Sequence, residues 1–529
     1  MGKRRNDHED TIETWNQTIN HYNGGRSQSP SGKSPTPGKK KGNRGKRQKH
    51  IFGKILAIIQ ALLSLLLLGS LLILNILPMT YLIIAAVVLL VLWLFVFLSQ
   101  FTRKTHIPGK VISIIICLIL ALGSYYLLIT NNLLGSITGL GYKIDNVVVA
   151  VLDEDPAQSI QDAADYTFGI HSSLSRDSVD TAINEINETL GTEISVVTYD
   201  GFGSMVDALY SGEVGALIYN TAWETTMEEM HEGFTEEIRI LESKEIKTKT
   251  TSIGTSNKNV TKEPFVVYIT GNDSYGSIAT TGRSDVNMLV CVNPKTRQIL
   301  MISTPRDSHL VFAGNVTNGT KDKLTHAGNF GIDVQMGTLE ELYGVEIDFY
   351  ARVNFTSLVN IVDALGGVDV YSEYTFTAID GRHFTQGLNS LDGESALMFS
   401  RERKAFTNGD FQRGKNQQAV LTAIIKKAMS PAILTSYASL IGSLEGNVDT
   451  SMVQNDITSL VKMQLNDGGS WNIVPLSPTG TTGSAYCYSI GGNASVVILN
   501  DESIEVIKTQ IQKLFNGEIL EPGTTVESE

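Results

Sequence analysis

The chain has 529 residues, with 42 Lys and Arg against 55 Asp and Glu, and a mean hydropathy of +0.01 that hides an uneven spread of charge. Residues 1–50 carry a net +8, residues 51–130 hold four basic and no acidic residues, and the remainder carries −25. So acidic a body excludes non-specific nucleic-acid binding through clustered cations, and three cysteines exclude a disulfide scaffold or a cysteine-built zinc site.

Residues 1–50 are rich in Ser, Pro, Gly, Lys and Arg and are expected to form a disordered basic tail. The cluster from Lys39 to Lys49 abuts the first apolar run, where it meets anionic head groups. From Ile55 to Thr102 there are 48 uncharged residues. As one helix these would span about 72 Å, against a hydrocarbon core of roughly 30 Å. The run therefore crosses twice, with Asn75, Pro78 and Thr80 at the break, Ile55–Leu77 and Tyr81–Phe101 as spans, and Tyr81 and Trp93 as interface anchors. Val111–Thr130 is a third span, after a loop carrying Arg103, Lys104 and Lys110. The positive-inside rule puts the N-terminus and this loop in the cytoplasm, and everything from about residue 131 outside it.

Residues 145–245 read as a small α/β unit. NVVVAVL (146–152), EISVVTY (193–199) and EVGALIYN (213–220) have strand composition, while Ser178–Leu190 and Met205–Tyr210 have helical spacing. The pattern is similar to one lobe of a periplasmic-binding-protein fold, with a purely structural accessory role as the alternative. A polar stretch over 246–263 reads as a linker, residues 264–515 as a second α/β domain, and 516–529 as a flexible tail.

Chemistry concentrates in that second domain. FVVYIT (265–270) predicts a strand, and VNMLVCV (286–292) and QILMIS (298–303) predict a hairpin closed by NPKT. Asp273 follows the first strand and Asp285 opens the second, so pairing of these strands brings two carboxylates to one end of a sheet. Such oxygens suit Mg²⁺, which completes its shell with water and phosphate, although loop acids are also common without a metal. Arg283 precedes Asp285, Arg306 follows the hairpin in STPRD, and Arg401 and Arg403 occur in ALMFSRERK. Read as extended, that last segment places Leu397, Phe399, Arg401 and Arg403 on one face. NGDFQRGKNQQAVLTAIIKKAM reads as a helix whose stripe of Val420, Leu421, Ile424, Ile425 and Ala428 leads back to Gln417, Arg413 and Asp410. Asn408 or Asp410 is placed to cap it.

Guanidiniums heading core-facing stripes are costly unless they meet anions. Their donor fork matches phosphate, and phosphoryl transfer asks mainly for positioning and charge neutralisation. Internal pairs such as Arg413 with Asp410 are the alternative. No GxSxG, GxxxxGK[ST] or HExxH motif is present, and the nine His form no metal-spaced cluster.

TGRSDVNMLVCVNPKTRQILMISTPRDS, DKLTHAGNFG, IDFYARVNFTSLVNIVDALGGVDV and LDGESALMFSRERKAFTNGDFQRGKNQQAVL resemble the LytR-CpsA-Psr family of Gram-positive envelope enzymes. The likeness is strong over about 260–425 and weaker to about 515. Three spans and an accessory domain resemble its capsule-associated CpsA branch. The resemblance implies an α/β/α catalytic domain around a mixed sheet. It also implies an Mg²⁺-dependent (or Mn²⁺-dependent) phosphotransferase that moves a capsular or teichoic-acid-like glycopolymer from a polyprenyl-pyrophosphate carrier to peptidoglycan. On that resemblance Asp273 and Asp285 hold the metal, and Arg283, Arg306, Arg401, Arg403 and Arg413 bind pyrophosphate with Gln417 and Lys323. Asp410 orients Arg413 or acts as a base. A lipid tunnel would come from stripes such as Phe330, Val353, Phe355, Leu358, Ile361, Val362 and Leu365, which otherwise are plain core. Asn287, Gly414 and Lys415 depart from the commoner family wording, a change expected to touch acceptor contacts. A binding protein for lipid-linked glycan and a pyrophosphatase acting on the carrier remain alternatives, and the pairing of Cys291 with Cys487 stays open.

Overall fold

The computed structural model describes residues 51–102, 105–136, 141–249, 256–272, 278–407, 409–430, 433–444 and 446–521. The chain divides into residues 1–50 and residues 51–529, and all described residues belong to the second unit.

Helices α1 (Ile51–Leu74), α2 (Met79–Ser99) and α3 (His106–Ser136) are each long and apolar enough to cross a membrane. Pro78 precedes α2 with φ −55°, and Asn75 takes φ 51°, so the chain reverses between them. The third helix begins earlier and ends later than the expected 111–130. Ser113 Oγ donates to Gln60 Oε1 at 3.1 Å, joining α3 to α1 in apolar surroundings. Trp93 Nε1 donates to the Ala57 carbonyl at 2.9 Å, so its indole packs on α1, while Tyr81 is exposed.

The accessory unit comprises β1 (Tyr142–Leu152), β2 (Thr167–His171), α4 (Arg176–Leu190), β3 (Ser195–Tyr199), α5 (Phe202–Tyr210), β4 (Ala216–Asn220), α6 (Glu224–Met230), α7 (Phe234–Glu237) and β5 (Ile238–Lys249). Its sheet runs β3-β2-β4-β1-β5, with β2 parallel to β3 and β4, and β1 antiparallel to β4 and β5. Val147, Val149 and Val151 pack with α4 residues, while Val148 and Ala150 pack with Phe202, Met205 and Met227 from the opposite layer. Burial on both faces explains the continuous apolar run. The expected linker begins inside β5: Tyr142 pairs with Lys249, and the ladder with β1 supplies the order that the polar composition conceals.

The second domain carries β6 (Phe265–Asn272), β7 (Ser284–Asn293), β8 (Gln298–Ser303), β9 (His309–Val311), β10 (Lys321–Lys323), α8 (Ala327–Phe330), α9 (Ile332–Tyr343), β11 (Phe349–Asn354) and α10 (Phe355–Ala364). There follow β12 (Val368–Ser372), β13 (Phe376–Thr377), β14 (His383–Phe384), β15 (Gly387–Leu391), α11 (Gly393–Arg401), α12 (Gly409–Ala428), α13 (Ile433–Leu444) and β16 (Asp449–Thr450). The last elements are α14 (Gln454–Asp467), β17 (Asn472–Leu476), β18 (Gly480–Cys487), β19 (Gly492–Leu499) and α15 (Asp501–Asn516). The main sheet is mixed, in the order β16-β11-β6-β7-β8-β17, with β11–β6 and β8–β17 parallel. Along β6, Val266 and Tyr268 pack with α9 and α15, and Phe265, Val267 and Ile269 pack on the side of α12 and α14. Alternate residues of one strand thus serve two helical layers, giving α/β/α.

Two expectations change here. ALMFSRERK is not extended: Asp392 accepts from the Ser395 N–H at 2.8 Å and caps α11, which runs to Arg401. The stretch 517–521 is packed rather than loose, because Leu520 is 1% exposed and its N–H donates to Gln298 Oε1 at 2.7 Å. Cys291 and Cys487 are both free and buried. At the domain's base, Leu444, Ile457 and Val461 pack with Leu74 and Leu127 of the apolar helices and with Ile76 in the turn after α1. Lys462 Nζ donates to Asn75 Oδ1 at 2.8 Å beside them.

Candidate active site

The parallel strands β6 and β11 end at Asn272 and Asn354, and β7 starts beside them at Ser284. Carboxyl ends of such strands are where open α/β sheets hold ligands. A cavity of about 350 Å³ opens there, between the sheet and helices α10, α11 and α12. One part is apolar, lined by Ile269, Met288, Val353, Phe355, Leu358, Leu397, Val420 and Ile424 among others. The other part holds Asp285, Arg306, Arg401, Glu402, Arg403, Lys404, Arg413 and Gln417, so cations outnumber carboxylates five to two.

Asp285 Oδ2 accepts from Arg306 Nη1 at 2.7 Å, and Arg413 Nη1 lies 3.9 Å away. The Thr325 hydroxyl donates to Asp285 Oδ1 at 3.2 Å. Burial alone would raise this carboxyl, but Arg306, then Arg413, outweigh it and hold it below the usual carboxylate range. Burial and the like charge of Arg306 lower Arg413, with Asp285 opposing. Asp410 stands between Arg403 (3.7 Å) and Arg413 (3.8 Å), in ion-pair rather than hydrogen-bond contact. Arg401, at the end of α11, stacks its guanidinium over the Phe355 ring, with Cζ 4.2 Å from the centroid.

Local sequence explains these positions. In α11, Leu397 and Arg401 share a face because helical residues four apart do, so the apolar wall still leads into a guanidinium although the segment is not a strand. The expected single stripe on α12 is divided: Ile424 and Ala428 pack with the α10–α11 cluster, and Leu421 and Ile425 with the sheet. Gln418 Nε2 donates to the Met301 and Leu476 carbonyls at 3.1 and 2.7 Å, fixing α12 on β8 and β17. Below Asp285, the Tyr268 hydroxyl donates to Asn287 Oδ1 at 2.7 Å, and Asn287 Nδ2 donates to the Ser284 carbonyl at 3.1 Å. Asn287 is 1% exposed and braces the strand from within the core. Gly414 lets α12 approach Ser303, and Lys415 pairs with Glu373 at 3.4 Å on the surface.

Not every expected residue reaches the cavity. Arg283 Nη1 donates to Glu229 Oε1 at 2.8 Å, and Lys323 Nζ donates to Glu229 Oε2 at 3.2 Å, so both cations face α6 of the accessory unit. Burial would raise Glu229, but Arg283 and then Lys323 outweigh it and lower it. Of the proposed tunnel, Val353, Phe355 and Leu358 line the cavity, whereas Val362 and Leu365 are core and Ile361 packs against that core. Phe330 instead meets Trp223 of the accessory unit edge-on, with centroids 5.7 Å apart. Asp273 and Asn408 lie outside the described residues.

Sequence reasoning missed Thr325, Glu402 and Glu229. Thr325 had a signal in its place two residues after Lys323, and Glu402 in its place between Arg401 and Arg403; the Glu402 carboxylate accepts from Ile379 N–H and Ala405 N–H at 2.9 Å each. Glu229 had none, since 54 residues separate it from Arg283. Among the described residues no cluster of three or more His, Cys, Asp or Glu is set to hold a metal. Asp285, a hard carboxylate at the cavity's cationic end, is the one described member of the expected acid pair and is of the oxygen-donor type that would suit Mg²⁺, whose shell water and phosphate oxygens would have to complete.

The teichoic acid transferase TagU of Bacillus mycoides (polyisoprenyl-teichoic acid–peptidoglycan teichoic acid transferase) is 36% identical over 225 residues, 42% of this chain and 72% of that protein. Its namesake from Enterococcus faecalis is 34% identical over 201 residues, 38% of this chain and 65% of that protein. The crystal structure of Bacillus subtilis TagV is 27% identical, covering 48% of this chain and 98% of that one with a TM-score of 0.42. The LytR_cpsA_psr family model matches residues 225–513. With more than half of its length inside that match, the chain belongs to the LytR-CpsA-Psr family.

Proposed function

We propose that this protein is a membrane-anchored phosphotransferase that moves a glycopolymer from a polyprenyl-pyrophosphate carrier onto peptidoglycan, forming a phosphodiester. The observation that carries the reading is one cavity with apolar walls and a five-cation end. That pattern matches a molecule with a hydrocarbon chain and a pyrophosphate. The relatives named as teichoic acid transferases support the reaction class.

In this reading the acceptor sugar hydroxyl attacks the phosphorus bonded to the glycopolymer. A new P–O bond forms, the P–O–P bond breaks, and polyprenyl phosphate leaves with the bonding pair. Arg306, Arg401, Arg403 and Arg413 hold the phosphate oxygens and offset the charge that develops on them. Gln417 donates a hydrogen bond to the head group. Asp410 orients Arg403 and Arg413, and its Oδ1, buried without a hydrogen-bond partner among the described residues, takes the proton of the attacking hydroxyl. Asp285, with Asp273, would hold Mg²⁺, which would supply further charge neutralisation when bound. The three apolar helices anchor the chain, with the cationic loop of Arg103 and Lys104 on the cytoplasmic side and the body outside.

The test is transfer of a labelled polyprenyl-pyrophosphate glycan to peptidoglycan by the purified full-length protein. Arg401→Ala and Asp285→Ala are each expected to lower the rate by about a hundredfold or more, and chelation of divalent cations to do the same. Unchanged turnover in both variants sinks the proposal. Release of free glycan phosphate at the same rate without peptidoglycan would instead indicate hydrolysis.

A further inference from the structure

The boundary between the accessory unit and the catalytic sheet contains a charge arrangement that the transfer mechanism does not use. Arg283 and Lys323 come from two parts of the catalytic domain, and their side chains are 9% and 8% exposed. One carboxylate, Glu229, satisfies both, at 2.8 and 3.2 Å. Arg283 Nε is buried without a hydrogen-bond partner among the described residues. Neither cation lines the cavity, although Asp285, two residues from Arg283, does.

The carboxylate is presented from a braced support. Neighbouring Glu228 accepts from the Gly233 and Thr235 N–H groups at 2.8 and 2.9 Å, which ties α6 to the turn that follows it. The loop before Arg283 is bound to the same unit: Ile144 N–H donates to the Ala279 carbonyl and Thr281 N–H to the Ile144 carbonyl, at 2.9 Å each. The accessory unit therefore grips the Arg283 segment through both backbone and charge. Glu229 is itself only partly covered, with its side chain 37% exposed, so rotation of one side chain is enough to release it.

We propose that Glu229 is a built-in substitute anion, which occupies the Arg283–Lys323 pair when no substrate is bound and yields it to a phosphate group entering the adjacent cavity. Two covered cations left unpaired would be strongly unfavourable, so some anion has to fill the place at rest. A carboxylate does so with a single charge, and a phosphate of higher charge, offering more acceptor oxygens, displaces it. The accessory unit then selects for ligands with enough charge to compete, and the proposal rests on the reading of the cavity as a pyrophosphate site.

The experiment is calorimetric titration of inorganic pyrophosphate with Mg²⁺ into the full-length protein in detergent. Glu229→Gln keeps the shape but removes the competing charge, so pyrophosphate should bind about threefold tighter or more, because apparent affinity rises with the fraction of sites open to the ligand. Adding Arg283→Ala should abolish that gain. Equal or weaker binding by Glu229→Gln overturns the proposal, since a merely structural contact predicts loss. Should Glu229→Gln not fold, Glu229→Asp, whose shorter arm lengthens both contacts, is expected to bind tighter than wild type, and its failure to do so counts equally against the idea. Arg401→Ala separates the two readings: if it leaves pyrophosphate binding intact, the cavity assignment fails and not the Glu229 competition.

Discussion

His171 sets an acid limit on the accessory sheet. Its Nδ1 accepts from the Ser173 and Leu174 N–H groups at 3.1 Å each, so the ring proton sits on Nε2, which is buried without a partner among the described residues. Burial pushes its pKa down to about 4, with Asp200 opposing. The unfolded chain takes up this proton near pH 6.5, so the contribution is complete above that value and is lost as pH falls from about 6.5 to about 4. A loss of about 2–3 kcal/mol is expected over that window. Thermal unfolding followed across it should show His171→Asn, which keeps an acceptor for the two amides, with a flatter profile than wild type. Position along apolar stripes, together with the family resemblance, carried other assignments. Arg306, Arg401, Arg403, Arg413 and Gln417 stood out as polar residues heading apolar stripes and Asp285 as a strand-end carboxylate, the family resemblance gave them their roles, and they gather at one cavity. Arg283 and Lys323 have the same chemistry, yet their partner is Glu229, which no local pattern distinguishes from other surface glutamates.

Among elements, the short helix α8 decides how closely the catalytic strand can be approached. A Cβ on Gly328 would lie 2.4 Å from the Gly282 carbonyl oxygen and 2.7 Å from the Ser284 nitrogen, both backbone atoms that cannot rotate away. Gly328→Ala should therefore displace the segment holding Arg283 and Asp285, costing about 1–3 kcal/mol. Denaturant unfolding checks the stability, and a parallel loss of pyrophosphate affinity checks the displacement. Gly393 makes the same kind of approach between α11 and α10, where a Cβ would fall 2.4 Å from the Val359 carbonyl oxygen. Strands and helices with strong periodicity were legible from sequence, including β1, α4, β6 to β8 and α12. α11 was misread as extended because nine residues ending in charges show too few turns for a helical period to stand out.

At the scale of the whole molecule, the three apolar helices and the catalytic body meet on one side. Leu74, Ile76 and Asn75, at the turn between α1 and α2, contact α14, and Leu127 near the end of α3 joins them. The reversal after α1 must then share a side with the body, and Thr105 must lie opposite. In a background with Cys117, Cys291 and Cys487 replaced, Thr80→Cys, at the exposed start of α2 beside that reversal, should react with a membrane-impermeant thiol reagent on intact cells. Thr105→Cys should react only after permeabilisation. The reverse labelling would refute an extracytoplasmic body.

What the sequence determined by itself follows from chemistry that is local or periodic. Uncharged runs longer than a membrane is thick must cross it, apolar alternation must pair into sheets, and arginines on buried stripes must find anions. Tertiary structure decided which anion each arginine meets. Arg306 and Arg413 find Asp285 across gaps of 21 and 128 residues, and Arg283 finds the accessory unit's Glu229. It also decided which apolar stripe becomes a cavity wall, as with Phe355 and Leu358, and which becomes core, as with Val362 and Leu365. The physical reason is the same in both cases. A side chain's composition states what it needs to be near, whereas the partner that meets the need is set by how distant segments pack, and packing depends on shape across the whole fold.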